Sequence, residues 1–228
     1  MRGPRQDRDR QFEQTSTRCC TRHEAAGSWM SPFIECPSKN EFAAKLRTES
    51  HENIVDQYLF RGTPFAFRTS HASYDFLVEL LANNLGLFAD SITMVGSGRI
   101  GFTLDPDRFG APFSVRSDLD VVVVSERMFD EAWFDMLRLG RKYLALEERV
   151  RRIVKSHRES YIYWGFVIPD RLPGVVRLST HWFSTFRVLS RYSQFARFEI
   201  KGRLYRTWEY ARVHQLNSLS RIMERLPQ

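Results

Sequence analysis

Lysine is scarce in this chain. Of 34 basic side chains only 5 are lysine and 29 are arginine, and against 27 acids they give a net charge of +7 over 228 residues. Cysteine is scarcer. Cys19, Cys20 and Cys36 all fall in the first forty residues, there is no CxxC pair, and the nearby histidine is His23. That usage fits a reducing, cytoplasmic setting and argues against a zinc site, which wants four regularly spaced ligands. No run of eighteen apolar residues occurs, so neither a transmembrane helix nor a membrane partner is expected. The Arg-rich start is not followed by an apolar h-region, so no secretory leader is expected. His157, His181 and His214 are scattered and no nucleophile elbow accompanies them, so they read as surface or packing histidines.

What the chain does have is arginine, the side chain best shaped to hold phosphate bidentately. One reading is a polyanionic partner, a nucleotide, an RNA or both. The other is a solvated surface produced by compositional bias, and charge alone does not choose between them. A hydrophobic fraction of 43% with 18 Phe excludes wholesale disorder. Residues 1–30 are polar and aperiodic and read as a disordered tail, with Met30 as a candidate alternative start. Residues 38–228 read as a single domain.

Helical spacing begins at Ser38, with Phe42, Ala43, Leu46, Ile54, Val55, Tyr58 and Leu59, and Gly62-Thr63-Pro64 breaks it. A second helix is predicted over Ser70–Leu85, with Gly86 as its C-cap. Residues 91–95 are a short β-type run. Residues 118–125 form the next strand, whose Val121-Val122-Val123-Val124 core predicts burial on both faces. Ser125 is a candidate N-cap for a helix carrying Met128, Phe129, Ala132, Trp133 and Met136. A helix over 142–158 follows, then β-type pieces at 161–168, 175–182 and 195–205, the last with a hairpin turn at Lys201-Gly202. A final helix spans 207–226. This order predicts an α+β fold with a central sheet.

Asp118-Leu119-Asp120 stands at the head of the Val run. Strand alternation projects both carboxylates to one face. They repel unless a positive charge lies between them, and Mg²⁺ or Mn²⁺ carrying a triphosphate supplies one. Gly96-Ser97-Gly98 follows the preceding strand directly. Glycines there permit close backbone approach and an anion nest, and the Ser97 hydroxyl can donate to phosphate. Together, strand, Gly-Ser-Gly, loop and Asp-Leu-Asp place phosphate donors beside metal ligands, as an in-line phosphoryl transfer needs.

Val95-Gly96-Ser97 followed by Ser117-Asp118-Leu119-Asp120-Val121 resembles the signature of the DNA polymerase β-like nucleotidyltransferase superfamily, over about residues 91–125. The resemblance implies a nucleotidyltransferase-type mixed central β-sheet flanked by helices. It implies that Gly96 and Ser97 hold nucleotide phosphates, with Gly98 beside them in the nest read from the residues, and that Asp118 and Asp120 bind Mg²⁺ or Mn²⁺ in catalysis. It implies an NTP substrate, with RNA or tRNA, a protein or a small molecule as acceptor; a catalytically inactive fold that binds nucleotide or RNA is the alternative. The chain departs from the pattern in two places. Its spacer is about twice the compact length and contains Arg99 and Arg116, candidate phosphate contacts, and reads as either a lid or an insertion. The third carboxylate is not evident: Glu199 is the candidate, flanked by apolar residues in a late β-type run, whereas Asp170 reads as turn chemistry. Trp164, Trp182, Phe183, Phe186, Tyr192 and Phe195, interleaved with Arg177, Arg187, Arg191 and Arg197, read either as an RNA-stacking surface or as core with snorkelling arginines.

Overall fold

The computed structural model describes residues 36–226; the predicted tail over residues 1–30 lies outside them. Ser38 opens α1 (Lys39–Thr48) with a reciprocal capping box to Glu41, which satisfies two otherwise unbonded backbone donors. α2 (His51–Ile54), capped by Ser50, runs on as a π-helical turn over Val55–Phe60. α3 (His71–Leu85) stops at Gly86, whose left-handed backbone (φ 66°, ψ 43°) returns its N–H to the carbonyls of Ala82 and Asn83.

The middle of the chain alternates strand and helix. β1 (Ile92–Val95) is followed by the single turn α4 (Ser97–Ile100), then β2 (Leu119–Val124) and α5 (Glu126–Gly140). Ser125 caps α5 by accepting from the Met128 N–H, as its sequence position predicts. Next come α6 (Glu148–Ser156), β3 (Phe166–Val167), α7 (Arg177–Leu189), β4 (Ile200–Tyr205) and α8 (Trp208–Met223). The strands form one mixed sheet in the order β1-β2-β4-β3, in which β2 and β4 are parallel and both outer pairings are antiparallel. This mixture of helices around a mixed sheet agrees with the α+β expectation.

One sheet face is covered by α3, α5 and α7. Leu81, Phe129, Ala132 and Trp182 pack there with Met94, Leu119, Val121, Val123 and Leu204. The other face carries Val95, Val122 and Tyr205 against Phe166 and Ala211 of α8. The opposite side of α8 sends Leu219 and Ile222 into the N-terminal helices, beside Phe42, Leu46, Ile54 and Leu59. Val121, Val122 and Val123 are therefore all buried, two on one face and one on the other, which is why the run lacks polar alternation.

Four predicted features change. Residues 175–182 are not a strand: α7 takes over at Arg177, burying Leu178, Trp182, Thr185, Phe186 and Leu189 at helical spacing. The helix predicted over 142–158 is a 3-10 turn at Tyr143–Ala145, then α6, then a π-helical turn over His157–Tyr161. Of the β-type run 161–168, only Phe166 and Val167 form strand. The predicted hairpin at Lys201-Gly202 is continuous strand, with Lys201 opposite Asp120 and Gly202 opposite Val121.

Gly202 is there for space rather than for a turn. A Cβ at this position would collide with the rings of Trp182 and Phe186, which stack at 4.6 Å beneath β4. A glycine inside a strand marks close approach of a neighbour. Gly202→Ala is expected to cost about 1–3 kcal/mol through overpacking. Gly140→Ala, where a Cβ meets nothing within 4 Å, should be close to neutral. Urea unfolding midpoints of the two variants measure the contrast.

Candidate active site

In the β1–β2 pair Val95 faces Asp120, so the end of β1 and the start of β2 share one sheet edge. The chain leaves β1 through Gly96 at φ 71° and ψ −155°, a region open essentially to glycine alone. A Cβ on Gly96 would stand 2.8 Å from Asp120 Oδ2. The missing side chain is what lets the loop cross the carboxylate. Gly96, Ser97, Asp118 and Asp120 consequently line one cleft of about 710 Å³, and Arg116 stands exposed at its side.

Two residues assigned to phosphate do not face this cleft. Gly98 is buried, and a Cβ there would stand 3.1 Å from Leu119 and 3.2 Å from Met94, so its small size seats α4 on the sheet. Arg99 is 1% exposed. Its Nε donates to the Tyr58 carbonyl at 3.1 Å and its Nη1 to the Gly62 carbonyl at 2.6 Å. Two residues along a helical turn rotate a side chain by roughly 200°, which carries Arg99 away from Ser97. It clamps the N-terminal helices instead.

The long spacer is folded into the protein, and Thr103, Pro106, Pro112 and Ser114 in it also line the cleft. Phe102 bridges to Pro112, Phe102 and Leu104 are buried among the N-terminal helices, and Asp107 pairs with Arg225 beyond α8. Its Arg108 faces the cleft but is paired with Asp105 at 3.1 Å.

Burial raises the pKa of Asp120; the neighbouring Asp118 adds to the effect, while Arg203 and Lys201 oppose it. Lys201 Nζ lies 2.6 Å from Asp118 Oδ2 and 3.4 Å from Glu199 Oε1. The hydrogen bond to Asp118 raises the Lys201 pKa. Glu199, the candidate third carboxylate, is 69% exposed and reaches the Asp pair only through this ammonium. Asp170 lies in the 3-10 turn Pro169–Arg171, partly buried; burial raises its pKa against the pull of the Gly202 N–H and the Trp182 indole, which makes no hydrogen bond of ordinary geometry. Among the described residues no three His, Cys, Asp or Glu side chains converge as a metal set. Asp118 and Asp120 fit one divalent ion whose other ligands would come from phosphate and water. Among the described residues no third carboxylate joins the pair directly to complete a second ion's set.

The far wall of the cleft was not legible as a site. It comprises Arg203 of β4 with His214, Gln215, Ser218 and Arg221 of α8. Tyr205 is fully buried, its pKa pushed up to about 12 by burial, and its hydroxyl lies 2.6 Å from His214 Nδ1. Burial, then Arg203 and Arg221, push His214 down to about 4, so it is neutral at physiological pH and shares a hydrogen bond with the Tyr205 hydroxyl. Two signals were available: Lys201, Arg203 and Tyr205 alternate along a strand, and His214, Ser218 and Arg221 recur at helical spacing. His157, by contrast, is a packing residue, bonded to the Ile153 carbonyl. Trp182, Phe186 and Phe195 are core, while Phe183 is half exposed.

A larger groove of about 1710 Å³ runs between α6, α7 and β4. It shares Asp120 and Arg203 with the cleft and is edged by Arg149, Arg171 and Arg187. No family model, curated protein or solved structure matches the chain.

Two outcomes follow from this geometry. Gly96→Ala should lose about 1–3 kcal/mol from backbone strain and displace Asp120, read as a lowered denaturation midpoint. Because His214 binds its proton more weakly folded than unfolded, its stabilising contribution is complete above its ordinary 6.5 and is lost as pH falls towards about 4. A His214→Gln variant should therefore show a flatter stability profile over that window.

Proposed function

We propose that the chain is a nucleotidyltransferase that binds an NTP in the Gly96–Asp120 cleft, moves its nucleoside monophosphate to an acceptor and releases pyrophosphate. The observation that carries this reading is the seating of Gly96 against the Asp120 carboxylate, which joins a phosphate-approach turn to an Asp pair in one cleft. Ser97 offers a hydroxyl to phosphate, and Arg116, Arg203 and Arg221 bring positive charge around the polyanion. Asp118 and Asp120 would hold a single Mg²⁺ or Mn²⁺, whose chemistry is to neutralise the triphosphate. The acceptor approaches through the larger groove, whose arginines favour RNA or tRNA. Its hydroxyl oxygen bonds to the α-phosphorus, the bond from that phosphorus to the β-bridging oxygen breaks to release pyrophosphate, and the hydroxyl proton passes to solvent.

One observation favours a second reading. With Lys201 on Asp118 and no third carboxylate among the described residues, the same cleft suits an inactive module that binds nucleotide or RNA.

Incubation with labelled NTPs, Mg²⁺ and total cellular RNA or protein separates the two. Transfer of label, reduced about 100-fold or more in an Asp118→Asn, Asp120→Asn double variant of unchanged fold, is the expected result. Saturable NTP binding without transfer selects the inactive module, and absence of both rejects the cleft as a nucleotide site.

A further inference from the structure

We propose that Lys201 and Arg203 of β4 form a phosphate-binding pair that provides, from side chains, the positive charge a second metal ion would otherwise provide. The triphosphate is then held with at most one divalent ion. This rests on the nucleotide reading above and specifies its chemistry.

The parallel register sets Lys201 opposite Asp120 and Arg203 opposite Val122. Paired residues on neighbouring strands project to the same face. Both cations therefore emerge beside the Asp pair, while the intervening Gly202 lies over the α7 rings. The Lys201 ammonium bridges Asp118 and Glu199, between the two carboxylates where a second cation would have to sit. Both partners of its closest ion pair are well exposed, at 47% and 37%. Pairs that exposed add little to stability, so fold stability does not account for a lysine there.

Arg203 stands where the cleft meets the larger groove and has no carboxylate within ion-pair distance among the described residues. Asp118 and Asp120 bring two negative charges to the cleft. With Glu199 the acids number three, and Lys201, Arg203, Arg116 and Arg221 answer with four positive charges, so the site keeps a positive excess for a polyanion without a second ion. A triphosphate would draw Lys201 off Asp118, which frees that carboxylate for the one ion the Asp pair can hold.

The test is calorimetric binding of ATP and of inorganic tripolyphosphate to the full chain, in EDTA and in Mg²⁺, with Mn²⁺ stoichiometry in the ATP complex read by paramagnetic resonance. Both ligands should bind in EDTA. Lys201→Gln and Arg203→Gln should each weaken that binding about ten- to hundred-fold. Arg152→Gln, which removes the same charge outside the cleft, should leave it unchanged. The ATP complex should hold one Mn²⁺, and Lys201→Glu should admit a second. Binding that requires a divalent ion, indifference to both single variants, or two Mn²⁺ in the wild-type complex would overturn the proposal. If tripolyphosphate binds in EDTA through both cations but ATP binds no tighter and no label is transferred, the phosphate pair stands and the nucleotidyltransferase reading falls.

Discussion

The parallel pairing of β2 with β4 is the constraint on which the site and much of the core depend. In the observed register Asp120 faces Lys201 and Val121 faces Gly202. A slip of one residue would turn every side chain of β4 to the opposite face. Lys201 and Arg203 would then press into the rings of Trp182 and Phe186, where unpaired cations cost several kcal/mol each. Leu204 would leave the core. The apolar layer beneath the sheet thus fixes the cationic wall above it, and a substitution made for packing at Gly202 acts on the same strand that presents Lys201.

How much of this was legible follows from where each signal lies. β1, β2, the Ser125 cap and the Gly86 stop are local: each rests on a handful of adjacent residues, and each stands where the sequence puts it. The meeting of Gly96 with Asp120 is one step less local, yet a glycine turn closing one strand and an acidic pair opening the next anticipate it. β4 was misread because a glycine after a lysine looks like a turn when its neighbours in space are unknown. The information lies in Trp182 and Phe186, and residues 175–182 themselves read as strand although they belong to α7. Losing β4 also hid the alternation of Lys201, Arg203 and Tyr205, and with it the wall that His214 and Arg221 complete.

Arginine behaves in two ways here, which explains why composition alone could not decide the partner. Arg99 is buried and spends its guanidinium on backbone carbonyls that would otherwise lack donors at the break after the π-helical turn. Arg203 and Arg221 are exposed, in a cleft with few acids to meet them. The difference is set by helical phase and strand parity, so a count of basic residues averages over both.

Parallel strands cannot be joined by a tight turn, and the connection from β2 to β4, residues 125–199, carries α5, α6 and α7. Those helices also wall the larger groove, whereas the cleft draws its residues from outside the connection. Changes to the groove-facing residues of α6 would therefore remodel what docks on the protein while leaving the Gly96–Asp120 seat intact. The architecture separates the Gly96–Asp120 seat from the helices that line the groove.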